Sequence, residues 1–183
     1  MQKDAYSFDW PRFIWLAGLV ALSVGLSLGL ACAVPLAAFA ALGALTMRRR
    51  AALLFILAVV AANQCVGFAL LHYPLSAVVW VPAFALVGAF SVFAAEWAYR
   101  STAFAHPFAG YAGVFLAAFA AYEGGFLAIT VLASGDFAPY AGPVVLRVFA
   151  INAATFAGLL IAARLAAAVG LAGTGRRLHQ RAA

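Results

Sequence analysis

Five polar side chains interrupt long apolar runs of this sequence, and their chemistry is the first thing to explain. They are Asn63, Gln64, Cys65, Glu123 and Asn152. A polar or ionisable group in hydrocarbon is expensive, so it usually faces a cavity and marks a functional site. The alternative for the amides is hydrogen bonding between neighbouring helices, which averages about 0.6 kcal/mol per bond in one well-studied membrane protein.

Cys65 is one of two cysteines and offers the chemistry of a soft ligand. Its thiolate could bind a soft or borderline metal, whereas a buried membrane cysteine otherwise behaves as a small apolar residue. His72 follows seven residues later, and this spacing predicts one shared helical face that points outward. Cys32 forms no CxxC pair or zinc spacing with Cys65, so a cysteine metal cluster is not indicated.

Glu123 is the acidic residue deepest in an apolar run, between Tyr122 and two glycines. A carboxylate there must be protonated, paired or hydrated. Arg147, near the start of the next apolar run, is a candidate partner for an ion pair that closes the last two helices. The other interpretation is a carboxylate that binds substrate, and the sequence leaves both open.

The composition identifies the kind of protein that positions these groups. The chain has 183 residues, of which 68% are hydrophobic and 9% are charged. Soluble domains carry about 25% charged residues, so this is not a soluble fold. The net charge of +6 comes from basic residues at the ends of apolar segments, which excludes nucleic-acid binding as its explanation.

The apolar runs predict an all-α integral membrane protein, a single polytopic domain over residues 1–183. A span needs about 20 apolar residues. Asp9 and Pro11 predict the N-cap and first turn of the first helix. We place six transmembrane helices at about 13–31, 34–46, 51–72, 76–98, 107–132 and 144–169.

The basic residues fix the predicted orientation. Ten of the eleven Lys and Arg residues fall on one side of this arrangement, and Arg147 is the exception. The positive-inside rule makes that side cytoplasmic, so both termini are predicted to be inside. We expect a multi-pass protein of the bacterial inner membrane.

A helical rise of about 1.5 Å per residue then places the polar groups at one level. Cys65 lies roughly 21 Å and Glu123 roughly 24 Å above the cytoplasmic ends of their spans, in a core about 30 Å thick. This shared level predicts a shallow pocket open to the outer side. The predicted substrate-binding residues are Asn63, Gln64, Cys65, His72, Tyr122, Glu123, Arg147 and Asn152.

Small residues recur every four positions along the first span: Ala17, Ala21, Gly25 and Gly29. Such a face brings another helix close. The helix that packs on this face belongs either to this chain or to a separate partner. No nucleophile–base pair, phosphate loop or dinucleotide fingerprint is present in the sequence, so enzymatic activity is not indicated.

These features resemble the S-components of energy-coupling-factor (ECF) vitamin transporters, in particular the cobalamin-specific BtuM type. The resemblance covers the whole chain as architecture: six compact spans, an outward polar pocket and the Ala17-xxx-Ala21 face. It implies capture of a vitamin from outside, with no intrinsic cofactor. It also implies docking of Ala17 and Ala21 on an ECF coupling subunit driven by ATPases, or solitary action.

For the BtuM type the resemblance further implies that Cys65 is a ligand to the cobalt of cobalamin. It also implies ancillary removal of the upper cobalt ligand. Two other functions stay open on the sequence. One is a scaffold or assembly factor whose polar residues only join helices. The other is a thiol-based redox or cofactor-handling membrane enzyme that uses Cys32 and Cys65.

Overall fold

The computed structural model describes residues 9–30, 34–72, 77–101, 109–134 and 140–171. These residues form helices and turns, with no strand among them. The described residues contain six helices: α1 (Trp10–Gly29), α2 (Leu36–Thr46), α3 (Arg49–Ala69), α4 (Ala77–Ser101), α5 (Ala109–Ser134) and α6 (Gly142–Ala168). Each overlaps one predicted span, and their ends differ from the predicted ends by three residues or fewer.

Four of the helical segments are long and apolar enough to cross a membrane: Trp10–Gly29, Arg49–Ala69, Gly110–Leu132 and Gly142–Ala168. The structure is therefore all-helical in its described part, with the helices of a membrane protein. The 11-residue α2 differs. It extends only about 17 Å, roughly half the thickness of the hydrocarbon core.

This short helix forms the centre of the bundle. It packs against α3, α4, α5 and α6. Every residue from Leu36 to Ala44 is buried. Most are alanine, which allows neighbouring backbones to approach closely. Where Gly43 faces α3, an added methyl group would already touch Ala52 and Phe55.

The start of α1 has the predicted capping arrangement. Asp9 is the N-cap, and its side chain accepts a hydrogen bond of 3.2 Å from the backbone N–H of Arg12. Pro11 lies in the first turn, where a missing N–H costs nothing. The sequence-based N-cap is confirmed.

Aromatic rings hold α5 and α6 together. Phe115 stacks on Phe156 of α6, with ring centroids 5.1 Å apart. Phe119 meets Phe149 edge to face at 5.2 Å. Offset and edge-to-face pairs of this kind stabilise packing beyond the area they bury.

Arginines gather at one end of the bundle. Arg49 of α3 and Arg100 of α4 both donate to Glu96, at 2.7 and 3.0 Å. Arg12, Arg48 and Arg164 line one cavity. We call the end that carries these five arginines the basic end. The starts of α1, α3 and α5 lie there with the ends of α2, α4 and α6, so the helices alternate in direction as the charge pattern predicts.

Candidate functional site

Asn63 is buried between α1 and α3 and joins them. Its Nδ2 donates to the Ser23 hydroxyl at 2.9 Å and to the Val59 carbonyl at 2.8 Å. Its Oδ1 is buried and has no hydrogen-bond partner among the described residues. An unpaired acceptor in an apolar interior costs about 1–3 kcal/mol. The Nδ2 group of Asn63 therefore stabilises the packing of α1 on α3, whereas its Oδ1 has no partner among the described residues.

Asn152 has a structural contact that its sequence position does not reveal. Pro35, the N-cap residue of α2, provides no side-chain cap. Asn152 of α6 takes that role, because its buried Oδ1 accepts a hydrogen bond of 3.3 Å from the Ala38 N–H. Its Nδ2 donates to the Val148 carbonyl at 3.0 Å. Both asparagines therefore make hydrogen bonds between helices, which was the alternative to a place in a pocket wall.

Glu123 is half-buried on α5 and makes no hydrogen bond or ion pair with the rest of the described chain. The ion pair with Arg147 is not formed, and Arg147 is exposed. The phenylalanine rings close α5 on α6 without it. Tyr122, beside Glu123, packs its ring edge to face on Phe126 at 5.1 Å.

Cys65 lies on the opposite side of α3 from Asn63. The two residues are about 200° apart around a helix, and Cys65 is exposed as a free thiol while Asn63 is buried. Gln64 between them is half-buried. Cys32 lies outside the described residues.

The expected common face of Cys65 and His72 is wrong. The helix α3 ends at Ala69, and His72 is an exposed residue with a φ of 55° beyond the last turn. Helical spacing therefore does not relate His72 to Cys65. No group of three or more His, Cys, Asp or Glu side chains that could hold a metal occurs in the described part.

The small-residue face of α1 points away from the rest of the protein. Ala17, Ala21, Gly25 and Gly29 are exposed, whereas α1 buries Leu19, Ser23 and Ser27 against the bundle. The two stripes lie on opposite sides of the helix, because they are offset by two residues. The small-residue face therefore does not pack against another helix within the described part of the chain.

A cavity of about 530 Å³ lies at the basic end. Arg12, Arg48 and Arg164 line it together with Trp15 and Tyr111. Sequence reasoning missed this cavity, because it took the arginines only as indicators of orientation. The available signal was that Arg12 and Trp15 share one face of α1, three residues apart.

Comparison with known proteins finds no matching family model, no matching curated protein and no matching solved structure.

Proposed function

We propose that this protein is a substrate-binding subunit of the bacterial inner membrane that captures a vitamin from the outer side for uptake. Cobalamin is the favoured ligand. The observation that carries the proposal is that the Oδ1 of Asn63 and the carboxylate of Glu123 have no partner in the described protein. Both lie about 21 Å along their helices from the basic end. Polar groups left over at one depth are expected where a ligand is bound.

The residues divide into four roles under this proposal. Glu123, Tyr122 and Gln64 contact the polar edge of the ligand, while His72 and Arg147 lie nearer its entrance. The Oδ1 of Asn63 is buried against α1, so it reaches the ligand only if α1 and α3 separate. The exposed thiol of Cys65 binds the cobalt as a thiolate, a chemically suitable soft ligand. Asn152 acts through the α2 terminus that it caps.

The exposed face of α1 supports a coupled transporter. Ala17 and Ala21 present small side chains to the surroundings, and such faces allow close docking of another membrane helix. In this proposal an ECF coupling subunit and its ATPases use that face. In a solitary transporter, this face of α1 would contact lipid instead.

A titration of the purified protein with cobalamin, followed by visible absorbance, tests the proposal. We expect a stoichiometric complex with a shifted cobalt spectrum. Cys65→Ala should lose the shift, and Glu123→Gln should weaken binding about tenfold, as expected for one hydrogen bond to a charged group. Cys32→Ala is the matched control and should bind like the wild type.

Two results would contradict the proposal. One is a wild-type protein that binds no cobalamin and no other vitamin in the same assay. The other is undiminished binding by the Cys65→Ala, Glu123→Gln double variant.

The second candidate function is a scaffold or assembly factor. It is favoured by the contacts of Asn63 with Ser23 and of Asn152 with Ala38, since both amides join helices. A scaffold predicts that no small molecule binds and that the asparagine variants lose stability alone. The same titration separates the two functions.

A further inference from the structure

The cavity at the basic end is large enough for a ligand and lies away from the proposed vitamin site. Its volume of about 530 Å³ is within the usual range for small-molecule sites, about 300–1,000 Å³. Three separate segments each contribute one arginine: Arg12 from α1, Arg48 from the turn before α3, and Arg164 from α6. Charge therefore converges here from distant parts of the sequence.

These three arginines have no carboxylate partner within the described residues. Glu96 is occupied by Arg49 and Arg100, and Asp9 caps α1 through the backbone of Arg12. No acidic residue is found among the described residues that line the cavity. Guanidinium groups match phosphate oxygens in a planar fork, so the charge complement of this cavity is a phosphate.

The walls of the cavity are largely apolar, so a ligand that fills it needs an apolar part beside its phosphate. Leu16, Leu45 and Leu160 line it, with the rings of Trp15 and Tyr111. The guanidinium carbon of Arg164 lies 5.9 Å from the centre of the Tyr111 ring, a cation–π distance that holds the charge at the wall. Inorganic phosphate would satisfy the arginines and leave the apolar wall in water.

The outer surface of α6 continues this apolar character beyond the cavity. Ile161 and Leu165, which flank Arg164, are 61% and 64% exposed. A ligand with hydrocarbon tails could therefore place its phosphate among the arginines and its tails along α6.

We propose that this cavity binds an anionic phospholipid, with its headgroup phosphate held by Arg12, Arg48 and Arg164. Basic pockets between membrane helices on the cytoplasmic side are suited to such headgroups. Orientation by the positive-inside rule alone would not bring arginines from three segments around one cavity. The exposed Arg50 belongs to the same basic region and is not among the cavity residues.

Native mass spectrometry of the full-length protein, equilibrated with equal amounts of phosphatidylglycerol and phosphatidylcholine, tests this inference. We expect preferential retention of one phosphatidylglycerol molecule. Arg48→Gln and Arg164→Gln should each reduce this preference about tenfold, the effect of losing one charge-assisted bond. Arg50→Gln removes a nearby arginine outside the cavity and should retain the preference. All variants are compared after elution as monodisperse protein of wild-type helicity.

Three outcomes would overturn the inference. The wild type retains both lipids equally, or Arg50→Gln loses as much preference as Arg164→Gln. In the third, glycerol phosphate or an acidic peptide displaces phosphatidylglycerol at equal concentration, which would assign the cavity to a soluble anion or to a protein partner. Cobalamin titration of the same variants distinguishes this inference from the proposed function, because the two sites lie at different depths.

Discussion

At the residue scale, the adjacent glycines Gly124 and Gly125 of α5 differ in the space around them. A methyl group on Gly125 would collide with the ring of Phe90 on α4, which itself packs at a tilt against Phe126, with ring centroids 4.7 Å apart. A methyl group on Gly124 meets nothing within 4 Å. Gly125 thus allows α4 and α5 to approach each other beside Glu123, and Gly124 has no such role.

We therefore expect Gly125→Ala to destabilise the protein by about 1–3 kcal/mol, the usual cost of overpacking. Gly124→Ala should be neutral or stabilise by up to about 1 kcal/mol, because alanine favours a helix. Thermal unfolding in detergent measures both. Equal unfolding midpoints for the two variants would contradict the close approach of Phe90.

The polar residues show how far single positions can be interpreted from sequence. From their apolar surroundings, Asn63 and Asn152 are expected either to line a pocket or to hydrogen-bond between helices, and the structure contains the second kind of contact for both. Their partners could not be predicted. Asn152 binds a backbone group 114 residues away, and no local pattern specifies such a contact.

The short helix α2 organises the bundle at the element scale. Its nine residues from Leu36 to Ala44 are all buried, and four other helices surround it. Sequence reasoning places a short helix here, between Pro35 and three arginines. The sequence does not show that this helix is central. A helix that is apolar all round is predicted to be buried, but the pattern does not specify which helices surround it.

Ala41 in this helix has no exposed surface, whereas Ala112 lies on the outer face of α5. Ala41→Leu should cost about 1–3 kcal/mol, because the added atoms must displace packed helices. Ala112→Leu should change stability by less than about 0.5 kcal/mol. The unfolding midpoints of the two variants check the expectation. If Ala41→Leu left the unfolding midpoint unchanged, α2 would not be the packed centre of the bundle.

At the scale of the whole molecule, the two ends of the bundle differ in chemistry. The basic end collects five arginines from four segments of the chain. Alternation of helix direction could be predicted from charge, because the positive-inside rule depends on the order of basic segments and not on their packing. The cavity among the arginines could not be predicted, since it forms only where side chains of α1, α2, α3, α5 and α6 come together.

The polar groups without partners belong to the other half of the molecule, and the proposed function requires that half to open outward. Cys65 reports on this directly, because it is an exposed thiol at that depth. A membrane-impermeant thiol reagent should reach it from outside only if water or ligand enters there. A lipid-facing cysteine would stay unmodified.

The most direct measurement is therefore labelling of Cys65 by an impermeant maleimide in right-side-out membrane vesicles of the Cys32→Ala variant, with and without cobalamin. The proposed function predicts labelling from outside that cobalamin blocks. Labelling only from the cytoplasmic side, or outside labelling that no vitamin alters, would contradict it.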